Sequence, residues 1–303
     1  MMAPDRIHFY ETALPELPAQ RGDANMDLST AKKTLNNGVE MPFVGLGVWM
    51  AKDAETVQAV KWAVEAGYRH IDTAKIYKNE AAVGQGVKEC GLPREQIFIT
   101  TKLWNDDMRS GRQMEAFEES LKALGTDYVD LYLLHWAVDD VYVPSWKVLE
   151  QIYKQGRAKA IGVCNFQQHH LERLMEGAEI KPAINQFECH PYLTQEPLIA
   201  YCKQEGIACE AWGPLGGKGA PLVSDPGIAA IGEKYGKSAA QVILRWNHQR
   251  GLIVLPKSVH QERIASNGQI FDFSLSDADM KAVSALNQNK RLNLSLDPDN
   301  VTW

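Results

Sequence analysis

One carboxylate and one phenol stand five residues apart in "RHIDTAKIYKNE" (69–80), where an apolar strand gives way to a loop. Lys102 and His135 stand at or near the ends of two later apolar runs. A free phenol has a pKa of about 10, too high for an efficient acid near neutrality. We expect Lys102 to lower the pKa of Tyr77, and Asp72 to keep Lys102 charged. A neutral His135 would orient a carbonyl oxygen or share the proton, so the four side chains predict a site that protonates a developing alkoxide.

These side chains meet only if the fold brings strand ends together, and short apolar runs alternate with amphipathic helical segments along the chain. We predict strands at 43–49, 69–74, 97–103, 128–135, 159–165, 183–189, 208–214 and 252–258. Several helical segments between them end in Gly, which commonly terminates helices. Eight such repeats in about 250 residues favour one (β/α)8 TIM barrel over a two-domain doubly wound enzyme.

The segment ahead of the first barrel strand, "KTLNNGVEM", carries Asn37 and Gly38 between apolar flanks. This dipeptide predicts a type I′ β-hairpin, which would close the bottom of the barrel. Residues 1–25 mix acids with a few arginines and lack an apolar signal core, so we predict a peripheral N-terminal extension. A single domain is then expected over 26–303.

Polar residues gather at the C-terminal ends of the predicted strands, where the active-site face of such a barrel lies. Asn165 closes the fifth strand and Gln186 lies in the sixth. Lys257 and Ser258 close the eighth, and Arg263 follows within "PKSVHQERIASN". Cations beside a hydroxyl donor suit a phosphate group. Because no G-x-G-x-x-G follows a strand and opens a helix, a Rossmann dinucleotide site is not expected.

Composition excludes several other classes of protein. The chain has 303 residues, 45% of them hydrophobic and 23% charged, which is typical of a globular protein with ample core. A net charge of -6 argues against nucleic acid or an acidic membrane surface as a partner. Five widely spaced cysteines without a C-x-x-C pair indicate neither a disulfide framework nor a zinc knuckle, so we expect a reducing, cytoplasmic setting.

Six ordered motifs resemble the successive signatures of the aldo-keto reductase family: "GYRHIDTAKIYKNE", "TTKLWN", "DYVDLYLLHW", "AIGVCNF", "INQFECHPY" and "VLPKSVHQERIASN". The resemblance runs from about Lys33 to the C-terminal region. The chain is similar in particular to short-loop microbial and protozoan members that reduce small carbonyls, diketo sugars or prostaglandin endoperoxides. The resemblance implies hydride transfer from a reduced nicotinamide to a carbonyl carbon, with Tyr77 as the general acid and Asp72, Lys102 and His135 completing its tetrad.

The resemblance also implies the cofactor contacts. Asn165 and Gln186 would hold the nicotinamide carboxamide, Trp212 would stack on its ring, and Asn267 would contact the adenine. With Lys257, Ser258 and Arg263 as a site for the 2′-phosphate, we predict NADPH as the cofactor. The chain departs from the common pattern at Cys164, Trp212, Gly213 and Ser266. Cys164 removes a hydroxyl donor, and Ser266 stands where a Glu often contacts the adenine, so these departures bear on the affinity for the cofactor.

Trp49, Trp104 and Trp136 each stand at or beside a predicted barrel-mouth position. An aromatic wall would suit flat or apolar carbonyl compounds, although packing explains any one of these residues about equally well. The loop 137–142 and the tail 291–303 are short, which indicates an open pocket and a broad range of aldehydes.

Alternatives from other classes stay open. Lys102 could instead be the nucleophile of a Schiff-base aldolase, or the chain could be a non-catalytic sensor that binds NADPH. Adjacent His169 and His170 should point in different directions on a helix, and Glu188 with His190 lacks further ligands, so no metal is expected. By resemblance, the protein would be a monomer.

Overall fold

The computed structural model describes residues 27–217, 221–291 and 296–303. Its strands are β1 Lys32–Thr34, β2 Glu40–Pro42, β3 Leu46–Gly47, β4 His70–Asp72, β5 Phe98–Leu103, β6 Val129–Leu134, β7 Ala158–Cys164, β8 Ile184–Glu188, β9 Ala208–Trp212 and β10 Ile253–Leu255. Its α-helices are α1 Asp53–Glu65, α2 Glu80–Glu89, α3 Asn105–Arg109, α4 Gln113–Leu124, α5 Tyr142–Lys154, α6 Gln168–Met175, α7 Glu196–Gln204, α8 Pro226–Tyr235, α9 Ala239–Gln249, α10 Gln261–Gly268 and α11 Asp277–Ser284. The predicted extension 1–25 lies outside these ranges, and the domain over 26–303 stays a prediction.

Strands β3 to β10 form one sheet of eight strands, each parallel to its neighbours in chain order. The sheet closes on itself where the segment around β3 meets the end of β10. There, the amide of Gly45 donates to the carbonyl of Val254 at 2.9 Å, and that of Gly47 donates to Pro256 at 3.1 Å. The predicted (β/α)8 barrel is confirmed.

Burial explains why these segments pair as they do. All six residues of β5 and all six of β6 are buried, as expected of parallel strands covered on both faces.

Four helices end at the glycines predicted to terminate them. Gly67, Gly125, Gly156 and Gly206 all adopt positive φ just after α1, α4, α5 and α7. The longest helices among the described residues, α1 and α5, have 13 residues each, too few for a membrane crossing.

The predicted hairpin is present, but its predicted turn type is wrong. β1 pairs antiparallel with β2, and Leu35 donates its amide to the carbonyl of Val39. A type I′ turn needs positive φ at both central residues, whereas here only Gly38, at φ +85°, is left-handed. The side chains of Asn36 and Asn37 donate to the carbonyls of Pro182 and Lys159, at the N-terminal ends of β8 and β7. The hairpin therefore covers the bottom of the barrel.

Most of the regular strands are shorter than the apolar runs that predicted them. The first run, 43–49, pairs in regular register only over β3, and the last, 252–258, only over β10. The apolar residues of these runs continue past the paired residues into the adjoining loops. Of the predicted site residues, His135 and Asn165 lie directly after a strand, whereas Lys102 and Gln186 lie within one.

Candidate active site

Asp72 and Lys102 form a buried ion pair at the mouth of the barrel. Asp72 ends β4 and Lys102 lies in the adjacent β5, which brings the ammonium Nζ to 2.7 Å from Oδ1 of Asp72. The same nitrogen donates to the carbonyl of Thr73 at 2.9 Å. Lys102 is fully buried, and burial works against its charge. The negative charge of Asp72, which also accepts a hydrogen bond from the ammonium, outweighs that effect and raises the pKa of Lys102 above its ordinary value.

Tyr77 lies beside this pair, at the end of a 3₁₀ helix over Lys75–Tyr77 that follows β4. The Lys102 ammonium is 5.2 Å from the centre of its ring. Burial raises the pKa of the Tyr77 phenol above its usual range, and the charge of Lys102 offsets only part of the increase. The predicted net lowering of this pKa is therefore wrong. Lys102 acts in the expected direction, but desolvation of the phenol outweighs it.

His135 follows β6 directly and is held among three aromatic side chains. The centres of the Tyr77 and Trp104 rings lie 5.8 Å and 5.3 Å from the imidazole centre, both edge-on, and Trp136 stacks near-parallel at 6.3 Å. Burial, followed by the charge of Lys102, lowers the pKa of His135 well below its ordinary value. The imidazole is therefore neutral, and its Nδ1 has no hydrogen-bond partner among the described residues.

Asn165 and Trp212 adjoin the four proposed proton-transfer residues. Asn165 has a left-handed backbone at φ +62°, which Asn tolerates better than most residues, and its Nδ2 donates to the His135 carbonyl at 3.1 Å. The indole Nε1 of Trp212 donates to Oδ1 of Asn165 at 2.7 Å. Cys164, where a hydroxyl is usual, takes part in this network by accepting from the Asn165 amide at 3.2 Å.

Gln186 lies deeper, within β8, and its amide nitrogen is shared by two carboxyl groups. Nε2 donates to Oδ2 of Asp72 at 2.9 Å and to Oε2 of Glu210 at 2.8 Å. Sequence reasoning missed Glu210, which is fully buried within β9. The sequence did offer a signal, since Glu210 stands within a predicted apolar strand and a carboxyl group is rarely buried without a partner.

The residues predicted to bind phosphate lie together after β10. Lys257 and Arg263 are exposed, and no ion pair to either is found among the described residues. Ser258 is buried, and its Oγ accepts from the amide of His260 at 3.1 Å. Asn267, on α10, is buried close by in sequence.

A groove of about 420 Å³ lies beside these cations, between α1 and the start of α10. Its lining residues are Trp62, Val259, His260, Gln261, Glu262 and Arg263. The sequence analysis did not single out Trp62, which lies far from the other five in the chain. The two exposed cations and the Ser258 hydroxyl are hydrogen-bond donors suited to a phosphate group, and the groove adjoining Arg263 offers space for the phosphate end of a dinucleotide.

The three predicted pocket tryptophans separate in the structure. Trp104 and Trp136 flank His135, whereas 51% of Trp49 is exposed. Trp303, which was not predicted, joins the group by packing edge-on against Trp136 at 5.5 Å. Arg109 donates to the main-chain oxygens of Val301 and Trp303. The short tail, from which an open pocket was predicted, therefore packs beside Trp136 at the mouth of the barrel.

The expectation that His169 and His170 point apart is wrong. Their ring centres are 4.0 Å apart, and Nε2 of each faces Oδ1 of Asp299, at 3.4 Å and 3.8 Å. The three residues could in principle hold a metal ion. However, Nδ1 of His170 accepts from the amide of Gln167 at 3.1 Å, which leaves the proton of the neutral ring on Nε2. That nitrogen then carries a proton rather than a free lone pair, and at 3.8 Å it lies beyond hydrogen-bond distance of Asp299.

Comparison with known proteins shows which family the chain resembles. The model of the aldo/keto reductase family matches residues 44–288. "Uncharacterized oxidoreductase YtbE" of Bacillus subtilis is 53% identical over 278 residues, covering 90% of this chain and 98% of that protein. The glyoxal reductase of Bacillus subtilis is 51% identical over 259 residues, covering 85% and 93%. The crystal structure of a Bombyx mori aldo-keto reductase (AKR2E4) in complex with NADP is 42% identical with a TM-score of 0.82, covering 87% and 95%.

The chain belongs to the aldo/keto reductase family, which confirms the resemblance seen in the sequence motifs. It is an oxidoreductase. The roles of the individual side chains remain predictions.

Proposed function

We propose that the chain reduces small aldehydes, dicarbonyls of the glyoxal class among them, with hydride from NADPH and a proton from Tyr77. The observation that carries this proposal is the buried ion pair of Asp72 and Lys102 beside the Tyr77 ring. Bound NADPH would supply the hydride, and the side chains of this chain would position the carbonyl group, donate the proton and stabilise the resulting phenolate. The glyoxal reductase relative supports the substrate class.

The ion pair prepares Tyr77 to lose a proton. When the carbonyl oxygen takes up that proton, a phenolate remains in a buried site, where an isolated anion is costly. The fixed charge of Lys102, 5.2 Å from the ring centre, stabilises that phenolate without reorganisation. Asp72 and the Thr73 carbonyl hold the ammonium in place, so its charge is directed before the substrate arrives.

His135 and the tryptophans position the carbonyl group. A neutral imidazole offers one donor and one acceptor, so His135 is suited to hold the carbonyl oxygen near the Tyr77 hydroxyl. Trp104 and Trp136, on either side of His135, limit the space to a narrow, flat substrate. Small dicarbonyls satisfy that limit.

The phosphate-binding residues support NADPH rather than NADH. Lys257 and Arg263 project exposed charges that no described carboxylate neutralises, and the 2′-phosphate of NADPH is the group that distinguishes the two cofactors. The aldolase alternative is disfavoured, because a Schiff-base lysine must be a free amine. Lys102 is instead paired with Asp72, and its pKa is raised.

The test is the loss of nicotinamide absorbance when NADPH and glyoxal or methylglyoxal are mixed with the protein. We expect turnover, and a decrease in kcat of about 10²- to 10⁴-fold in Tyr77→Phe, which removes only the phenolic hydroxyl. Tyr153→Phe, on α5, is the matched control. Full activity in Tyr77→Phe would refute its role. NADPH binding without turnover on any aldehyde, ketone or quinone would favour the sensor alternative.

A further inference from the structure

Two ionisable side chains face each other inside the barrel, beneath the proposed tetrad. His70 on β4 and Glu210 on β9 come from strands that are not neighbours, and both side chains have no exposed surface. Nδ1 of His70 lies 3.8 Å from Oε1 of Glu210. Neither atom has a hydrogen-bond partner among the described residues. Buried polar atoms are almost always paired, so this arrangement calls for one proton between them.

His70 is a neutral ring whose two nitrogens face Thr100 and Glu210. Nε2 of His70 lies 3.0 Å from the Thr100 hydroxyl. Burial, followed by the charge of Lys102, lowers the pKa of His70 to about 3, so the ring is neutral. A neutral ring carries one N–H, so it either donates from Nε2 to Thr100 and leaves Nδ1 free to accept a proton from Glu210, or accepts from Thr100 and turns an Nδ1–H toward Glu210. The charges around Glu210 distinguish these two arrangements.

Glu210 is also connected to the proposed active site through Gln186. The Gln186 Nε2 bridges Oε2 of Glu210 and Oδ2 of Asp72. The ionisable groups facing Glu210 across the barrel are His70, Asp72, Lys102 and Cys164. Burial and the negative charge of Asp72 raise the pKa of Glu210 to about 8, against opposing contributions from Gln186 and Lys102.

We propose that Glu210 is a positioning residue that stays protonated, turns its proton toward His70 and fixes the Gln186 amide, which keeps a second negative charge away from Asp72 and Lys102. An ionised Glu210 would compete with Asp72 for the Gln186 amide and for the charge of Lys102. The link to catalysis rests on the proposed function, because it requires that Lys102 act on Tyr77. The protonation state itself does not.

The first experiment measures the protein alone, without cofactor or substrate. An acid with a raised pKa binds more protons in the folded state, so it makes wild-type stability fall as the pH rises from its unfolded pKa to its folded one. Gln cannot ionise but keeps the shape of Glu210 and an acceptor for the Gln186 amide. The melting temperature of Glu210→Gln minus that of the wild type should therefore increase by at least about 3 °C between pH 5 and pH 8.

The matched control is Glu188→Gln, which removes another buried carboxyl group, at the end of β8. Oε1 of Glu188 lies 3.1 Å from Nε2 of His190. An equal increase in that variant would mean that the pH dependence is not specific to Glu210. A difference for Glu210→Gln that does not change with pH would overturn the proposal, because it would mean that Glu210 ionises in the fold as it does in the unfolded chain.

A second experiment tests positioning by measuring the Kd for NADPH from protein fluorescence. Glu210→Gln should bind within about threefold of the wild type, and Glu210→Ala at least about tenfold more weakly, because the Gln186 amide loses one of its two acceptors. Equal affinity in Glu210→Ala would overturn the positioning role. Failure of the wild type to bind NADPH would instead refute the proposed function, and the melting result would still stand.

Discussion

Trp212 and Asn165 are joined across the mouth of the barrel by a 2.7 Å hydrogen bond from the indole Nε1 to the amide Oδ1. The bond links the end of β9 to the first residue after β7 and explains how an indole fits where a phenol is frequent in the family. It fixes the ring plane of Trp212 and the orientation of the Asn165 amide together, so that Nδ2 donates to the His135 carbonyl.

Replacing Trp212 by Phe keeps an aromatic face but removes this hydrogen bond. We expect the Kd for NADPH to rise about 3- to 30-fold, since one hydrogen bond and part of the stacking area are lost. Fluorescence titration measures the effect, with Trp146→Phe, on the remote helix α5, as the control. An unchanged Kd in Trp212→Phe would remove Trp212 from the proposed cofactor contacts.

Replacing Arg263 by Ala should separate the two nicotinamide cofactors. We expect the Kd for NADPH to rise about 10- to 100-fold while that for NADH changes little, because only NADPH carries the 2′-phosphate that Arg263 is proposed to bind. Arg112→Ala removes a surface cation that pairs with Glu119 and serves as the control for net charge. Equal weakening of both cofactors would mean that Arg263 contacts a group they share.

Replacing Gly45 by Ala should destabilise the barrel at the His70 site. The new Cβ would lie 2.3 Å from Nδ1 of His70 and 2.6 Å from Leu255, so both must shift. We expect a loss of about 1–3 kcal/mol in the free energy of unfolding. Denaturant titration measures it against Gly177→Ala, where a Cβ would meet no atom within 4 Å. Equal stability of the two variants would contradict the close packing.

Asp279 should give the protein a distinct acid dependence. Lys234, Tyr235 and Ser276 all donate to its carboxylate and lower its pKa to about 2. Stability from a lowered carboxyl pKa is present above the unfolded value of 3.8 and is lost as the pH falls toward 2. The advantage of wild type over Asp279→Asn, roughly 1–2 kcal/mol, should therefore shrink between pH 5 and pH 2.

Melting curves across this range provide the measurement for Asp279→Asn. The control is Asp277→Asn, an exposed neighbour in the first turn of α11. A difference between wild type and Asp279→Asn that stays constant down to pH 2 would show that the three donors do not stabilise the charged form.

The sequence predicted the barrel and the convergence of Asp72 with Lys102, because strand ends in a parallel barrel meet on one face whatever the helices between them do. Residues within strands were harder to predict. Whether Glu210 points into the barrel or outward depends on its register against β8 and β10, and that register is set by the closed sheet rather than by "ACEAWGP" alone.

Contacts that span much of the chain were also missed. Trp303 and Asp299 both lie in the segment 296–303. Trp303 packs against Trp136, and Asp299 faces His169 and His170. No local pattern records such meetings. The pKa of Tyr77 was mispredicted for a related reason, because a pattern shows which charge stands nearby but not how completely the phenol is desolvated.

The hairpin at the bottom of the barrel constrains the order in which the protein can assemble. Its two asparagine side chains bond to carbonyls 146 and 122 residues away in the sequence. Those acceptors are not in position until β7 and β8 have been laid down in the sheet. Although this segment precedes the barrel strands in the described part of the chain, its anchoring must await loop closure over nearly half the chain, so β1 and β2 are fixed to the barrel only after β7 and β8.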